Sequence, residues 1–344
     1  MDRNDFSNIL NSIVIPGNAP NEELPEIISP IRDAITQLLP NKLYRYRSVD
    51  EYNIDALKSD SVYTVTPDKF NDPYDSLIQY NFKQIDELIR ATANAEFMIG
   101  LRDLLKSEKL NSNVPNYFPN GEFAEATANL INTDLSNKDD ITKRLTSLAS
   151  FILAFIEILA PKAIDAIRKS ATYACLSEKI DSITMWSHYA NNHQGFALGY
   201  TKESLSLETL CAKKCGLFPV IYSDKRYDAT NNLFAWAIYN IMGIKMIEPD
   251  KLANIKVALH KSTDWSYEWE WRLICTLLPQ ERYKVDATPI KITPTEIYYG
   301  KRISPEDKMK LHAIAVEKGL NEYDMDIDNS SSTYQMIVKP AIFK

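Results

Sequence analysis

The sequence predicts an α+β protein, on three observations. Two short stretches, 43–47 and 268–272, alternate between two residue classes at period two, as strands do, and other short runs are strand-like in composition. A long central stretch, residues 83–169, is helical in pattern almost throughout, and the strand pattern resumes after it. That order divides the 344 residues into an N-terminal arm (1–41), an α+β core in two pieces (42–82 and 171–302), a helical insertion or subdomain (83–170) and a C-terminal extension (303–344). A hydrophobic content of 45% suffices for a sizeable core, and no internal repeat is visible.

The arm mixes Pro16, Pro20, Pro25, Pro30 and Pro40 with short apolar runs, which predicts an irregular segment with one helix near residues 31–39 that packs rather than acts. In Leu43-Tyr44-Arg45-Tyr46-Arg47, strand periodicity puts Leu43, Arg45 and Arg47 on one face and the tyrosines on the other. A helix at 51–59 and a strand at 61–65 follow, closed by Pro67. In the next loop, Phe70-Asn71-Asp72-Pro73-Tyr74-Asp75, Pro73 holds Asp72 extended and Asn71 can close an Asx turn. Polar turns at 111–120 and 136–139 interrupt the helical stretch. Beyond it the pattern predicts a strand at 171–176, a helix at 182–192 stopped by Gly195, and strands at 196–200 and 218–222. Helices within 231–246 and 251–262 and strands at 269–277 and 290–299 complete the order.

Composition narrows the function classes. The charged N-terminus has no apolar core of a signal peptide, and the greasiest run, 149–160, contains Glu157 and falls short of the about 20 residues a bilayer crossing needs. A buried helix and a cytoplasmic location without membrane contact are expected. Four cysteines (Cys175, Cys211, Cys215, Cys275) are too few for a disulfide framework, which predicts a reducing compartment and unpaired thiols. No second pair at zinc spacing follows Cys211 and Cys215, so no metal is expected. A net charge of −7 argues against broad nucleic-acid binding and favours a small-molecule or protein partner.

Four motifs outline a polar cleft around Arg45, Asn71, His188 and Glu270. In Glu268-Trp269-Glu270-Trp271-Arg272, strand periodicity puts the three charged residues on one face and assigns the tryptophan face to the core. Charged groups on a packed strand must face solvent, pair or line a site. On the helix Met185-Trp186-Ser187-His188-Tyr189-Ala190, the stripe joins Trp186, Tyr189, Ala190 and His193, while His188 points elsewhere with Thr184 and Asn192. Glu270 and the arginines therefore rank ahead of His188 as site residues.

Together, Tyr44-Arg45-Tyr46-Arg47, Phe70-Asn71-Asp72-Pro73-Tyr74-Asp75, Met185-Trp186-Ser187-His188-Tyr189-Ala190 with His193-Gln194-Gly195-Phe196, and Glu268-Trp269-Glu270-Trp271-Arg272 resemble a bacterial family, the domain of unknown function numbered two nine seven one, over residues 42–302. The order of elements is also distantly similar to the ADP-ribosyltransferase fold. That likeness implies a mixed, mostly antiparallel twisted sheet with NAD as substrate. It places Arg45 or Arg47 at the first-strand arginine, Tyr189-Ala190 at the helix-end pair, and Glu268 and Glu270 at the late Glu-x-Glu as catalytic residues. On the implied mechanism Glu270 holds the ribose 2′-hydroxyl, Glu268 orients a protein or other acceptor, a first-strand arginine grips phosphate and an aromatic stacks on nicotinamide. The expected ligand-binding set is Arg45, Arg47, Asn71, Asp72, Trp186, His188, Tyr189 and Arg272. Two other readings compete: a non-catalytic nucleotide- or protein-binding sensor of an anti-phage defence or toxin system, and metal-dependent hydrolysis using Asp72, Asp75, Glu268, Glu270 and His188.

Overall fold

The computed structural model describes residues 1–92, 137–206, 214–242, 250–278 and 280–343, with isolated positions between them. The alternating Tyr-Arg segment forms strand β1 (Lys42–Arg47), and the Val-Tyr-Thr segment forms β2 (Ser61–Val65). After the helical stretch come β3 (Ala171–Ser177), β4 (Phe196–Thr201), β5 (Cys215–Pro219), β6 (Ile221–Tyr222), β7 (His260–Lys261) and β8 (Glu270–Thr276). The chain continues through β9 (Ala287–Lys291), β10 (Glu296–Tyr299), β11 (Asn321–Ile327) and β12 (Met336–Pro340). One ten-stranded sheet runs β12-β11-β10-β4-β1-β3-β2-β9, with β8 paired to β3 and β5 to β8. Only β10 and β11 run parallel in it, while β6 and β7 form a separate parallel pair. The expected α+β class with a mixed, mostly antiparallel sheet is what the structure shows. The sheet does not stop at residue 302, because β11 and β12 extend it.

The arm is more regular than its prolines imply. It forms α1 (Arg3–Ser12), α2 (Leu24–Ile27) and α3 (Ser29–Leu38). Helix α1 is not among the helices expected from the sequence, and its start is an all-aspartate capping box: the Asp2 side chain accepts from the Asp5 backbone N–H while the Asp5 side chain accepts from the Asp2 backbone N–H. Phe6, Leu10, Ile31, Ala34 and Ile35 are buried in the main core with Leu43, Leu176, Phe196, Trp271 and Leu273. Each of the larger side chains contributes about 1.5–3 kcal/mol by leaving water.

Asp50 caps α4 (Glu51–Lys58). The helical stretch supplies α5 (Phe82–Thr92) and α6 (Lys138–Arg168), the latter capped by Asn137. The turn expected at 111–120 lies outside the described residues. Among those residues, α6 is the one helix long and apolar enough to cross a membrane, longer than the 12-residue run read from the sequence. It is two-faced, however: Ile152, Phe155, Ile156, Leu159, Ala160 and Ala163 are buried, while Lys143, Ser147, Ser150, Glu157, Lys162 and Asp165 are exposed. It packs against α5 and a later helix.

Helix α7 (Ile183–Tyr189) is shorter than expected. Asn191, Asn192 and His193 all adopt left-handed backbone and end it before Gly195 is reached. Gly195 is needed instead for close approach, since a Cβ there would lie 2.1 Å from the Arg47 carbonyl oxygen. The remaining helices are α8 (Thr230–Met242), α9 (Ala253–Leu259) and α10 (Pro305–Lys318).

The thiol expectation needs correction. Cys215 and Cys275 form a disulfide, and only Cys175 and Cys211 are free. The two residues are direct cross-strand partners on β5 and β8, with Cα atoms 4.3 Å apart, the close approach of a non-hydrogen-bonded antiparallel pair. Sixty positions of sequence separation hid that register.

Candidate active site

The sheet is split where the first three strands meet. On one edge β3 pairs continuously with β8, but on the other it touches β1 only at Ser177 opposite Tyr44, and β2 only at Tyr173 opposite Val65. Between these bridges, residues 174–176 pair with β8 alone. A cavity of about 590 Å³, the size of a small-molecule site, occupies the split. Arg45 and Arg47 from β1, Tyr63 from β2, Asn71 from the following loop, Cys175 from β3 and His188 and Tyr189 from α7 all line it. So do Lys261, Glu268 and Glu270, and the structure thereby brings Arg45, Asn71, His188 and Glu270 to one cavity.

The carboxylates are organised by Lys261, a residue that the sequence reading missed and that no periodicity or motif marks. Its ammonium donates to Glu268 Oε2 at 2.5 Å and to Glu270 Oε2 at 3.0 Å. Tyr189 donates to the other Glu268 oxygen at 2.5 Å and itself accepts from Asn71 Nδ2 at 3.2 Å. Behind Glu270, Arg272 donates from Nε to Glu270 Oε1 at 2.8 Å and grips Asp75 with both terminal nitrogens, at 2.9 and 2.5 Å. Arg3, from the arm, donates to the Glu270 carbonyl at 2.8 Å and pairs with Glu178 at 2.6 Å, holding the same strand from outside the cavity.

The local path of the chain differs from the uniform strand that periodicity implies. Glu268 ends a 3-10 segment (Thr263–Glu268), and Trp269 is left-handed at φ 47°, ψ 47° before β8 begins. Trp269 is exposed, with the Lys179 ammonium 5.1 Å from its ring centre, whereas Trp271 is buried. The assignment of both tryptophans to the core is therefore wrong for Trp269. Left-handed backbone at a non-glycine residue costs about 1–2 kcal/mol, and this kink lets Glu268 and Glu270 meet on one lysine.

Charge and burial separate the two acids. Burial and the neighbouring Glu270 push the Glu268 carboxyl up to about 7. Burial acts the same way on Glu270, but the Arg272 and Lys261 charges outweigh it and hold that carboxyl well below the ordinary range. Burial would lower Lys261, and the Glu270 charge reverses this and raises it. The Cys175 thiol is pushed up by burial and by Glu270, so it is a neutral group of the cavity wall.

Arg45 has the opposite problem. It is 9% exposed, donates from Nη2 to the Tyr63 carbonyl at 2.8 Å, and leaves its Nε without a partner. Among the described residues it forms no ion pair, nor does Arg47, and burial depresses the guanidinium's pKa. A buried cation without a counter-ion is costly, and an anionic ligand would offset that cost.

Three expected ligand-binding residues lie elsewhere. Trp186 is fully buried in a separate cluster and donates to the Ile180 carbonyl at 2.6 Å, so it is a core residue. Asp72, 4% exposed, accepts from Tyr74 N at 2.8 Å and closes the turn that Asn71 was expected to close, because the residue two after Asn71 is Pro73, which has no backbone N–H to donate. Arg272 is inaccessible behind Glu270. His188 does line the cavity, with Nδ1 3.0 Å from the Tyr267 hydroxyl, so the histidine and Tyr189 both face it although helix periodicity separates them. Helix α7 ends at Tyr189, so His193 belongs to no helical stripe. Of the oxygens offered to a metal, those of Asp75 and Glu270 are engaged by Arg272, and among the described residues no three or more His, Cys, Asp or Glu side chains are placed so that they could hold a metal ion together.

Residues 185–273 match a family model described as a protein of unknown function (DUF2971). The match supports the family likeness read from the sequence over that span. It contains His188, Tyr189, Lys261, Glu268, Glu270 and Arg272, while Arg45, Arg47 and Asn71 precede it. No curated protein and no solved structure matches the chain.

Proposed function

We propose that the cleft binds NAD and breaks the bond between nicotinamide and ribose, as an ADP-ribosyltransferase-like or other NAD-consuming enzyme does. One observation carries the reading: a single cavity joins uncompensated arginine charge, a lining rich in tyrosine and a lysine-bridged carboxylate pair. The reaction asks for those three things. Phosphates need cationic donors, the rings need flat apolar partners, and loss of nicotinamide leaves positive charge on the ribose that a fixed carboxylate stabilises. Glycosidases meet the same charge with carboxylates. In this reading Arg45 and Arg47 hold phosphate, the tyrosines flank the rings and the Glu268/Glu270 pair faces the scissile bond.

The test is incubation of the purified protein with NAD, following nicotinamide release by chromatography, beside Glu270→Gln and Arg45→Leu. Release that falls in both variants supports the reading. Saturable NAD binding without release favours the sensor. Nucleic-acid cleavage that needs magnesium or manganese, with NAD untouched, removes the proposal.

A further inference from the structure

We infer that Glu268 is the group that exchanges a proton in this cleft, while Glu270 takes up no proton and stays a fixed anion beside it. The inference rests on the NAD-consuming reading for its substrate but not for its chemistry. The cluster contains three carboxylates, Asp75, Glu268 and Glu270, against two cations, Lys261 and Arg272, and all five side chains are buried. It therefore carries one excess negative charge when fully ionised, and buried excess charge is relieved by binding a proton. The proton goes to the acid with the weakest cationic support.

That acid is Glu268. Asp75 is bound by both ends of the Arg272 fork, and Glu270 accepts from Arg272 on one oxygen and from Lys261 on the other. Glu268 has a cation on Oε2 alone, and its Oε1 meets only the Tyr189 hydroxyl, a neutral donor that is half-buried and tied to exposed Asn71. The other titratable groups around it are Tyr267 from its own segment, Tyr222 from β6, Cys175 from β3 and His188 beyond Tyr267. Lys261 and Tyr189 are thus positioning residues, and a Glu268 oxygen is the acceptor for the proton of a substrate hydroxyl or water.

In the NAD reaction Glu268 acts in its ionised form. A water or acceptor O–H gives its proton to a Glu268 oxygen as the oxygen bonds the ribose C1′. The C1′–N bond breaks, and its electron pair neutralises the pyridinium nitrogen of the departing nicotinamide. The proton later returns to solvent. A base that titrates near neutrality suits this task.

The experiment has two arms on the full-length protein. In the first, nicotinamide release is followed from about pH 5.5 to 9, and kcat is expected to rise with pH to a plateau. Glu268→Gln loses about 100-fold or more in kcat with NAD binding retained, and Lys261→Met moves the midpoint upward because a cation is removed. In the second, isotope-edited infrared spectroscopy follows the protonated carboxyl band without substrate. A band that titrates near neutrality in the wild type, moves to lower pH in Glu270→Gln because the excess charge is gone, and is absent at every pH in Glu268→Gln supports the inference. Unchanged kcat in Glu268→Gln, or a band near neutrality that survives in Glu268→Gln, overturns it. NAD left intact while the Glu268 band titrates removes the substrate reading and leaves the proton assignment standing.

Discussion

Replacing Arg272 by methionine tests the electrostatic framework of the site. The wild-type guanidinium is fully buried, bridges Asp75 and Glu270, also donates to the Ala258 carbonyl at 2.5 Å, and lies 5.6 and 5.9 Å from the Phe70 and Tyr173 ring centres. Methionine keeps most of the stem's packing and removes the charge, which leaves Asp75 without its ion pair and Glu270 with Lys261 alone. Breaking a buried pair on one side costs about 3–5 kcal/mol. At about 2.1 cal/mol/K per residue, 344 residues unfold with an entropy of roughly 0.7 kcal/mol/K, so Tm falls by about 4–7 °C at pH 7. The pH dependence has a definite sign. Glu270 in the wild type titrates well below its ordinary 4.5, so its stabilisation is complete above that value and is lost as the pH falls through the depressed one. The gap between wild type and Arg272→Met should therefore narrow on acidification below pH 4.5. Urea unfolding with calorimetric Tm at several pH values measures both quantities. A loss under about 1 kcal/mol, or a gap that stays constant in acid, would refute the account of Arg272 as the counter-ion of this cluster.

Arg45→Leu should leave the Tm of the free protein unchanged or raised, because it removes a buried cation without a counter-ion, while weakening pyrophosphate binding by about 10–100-fold in titration calorimetry. A fall of several degrees in Tm would make Arg45 a structural residue instead. Trp186→Ala should cost about 3–5 kcal/mol in urea unfolding and leave the NAD affinity of the folded fraction unchanged, and a selective loss of affinity would return Trp186 to the cavity. Reducing the Cys215–Cys275 disulfide, which spans 60 positions, should destabilise the protein by about 2–4 kcal/mol in thermal unfolding with and without dithiothreitol. An unchanged Tm would show that the bond adds nothing beyond the β5–β8 pairing.

Much of the fold was legible because its signals are local. Period-two alternation marked β1, short strand-forming runs marked β2 and β3, and the apolar repeat marked α7 and the helical stretch, since side-chain direction and backbone preference are set within a few residues. The same rule grouped Arg45 with Arg47 and Glu268 with Glu270 and Arg272, although the second grouping survives by way of a left-handed Trp269 rather than a continuous strand. Capping was less legible, because Asp2 and Asp5 carry the box at α1 without the usual glutamate or glutamine.

What the local signals leave open is which charge is compensated, and that depends on neighbours far along the chain. Lys261 reaches the carboxylates from a two-residue strand, and Arg272 finds Asp75 across 197 positions. Arg45 and Arg47 look alike in sequence, yet Arg45 is buried against the Tyr63 carbonyl and Arg47 is only half-buried. The polar cleft around Arg45, Asn71, His188 and Glu270 was readable as a set of residues because composition and periodicity select them. Their division into a fixed anion, a proton-exchanging acid and an unpaired cation came from tertiary packing, because desolvation and ion pairing act through space and not along the chain.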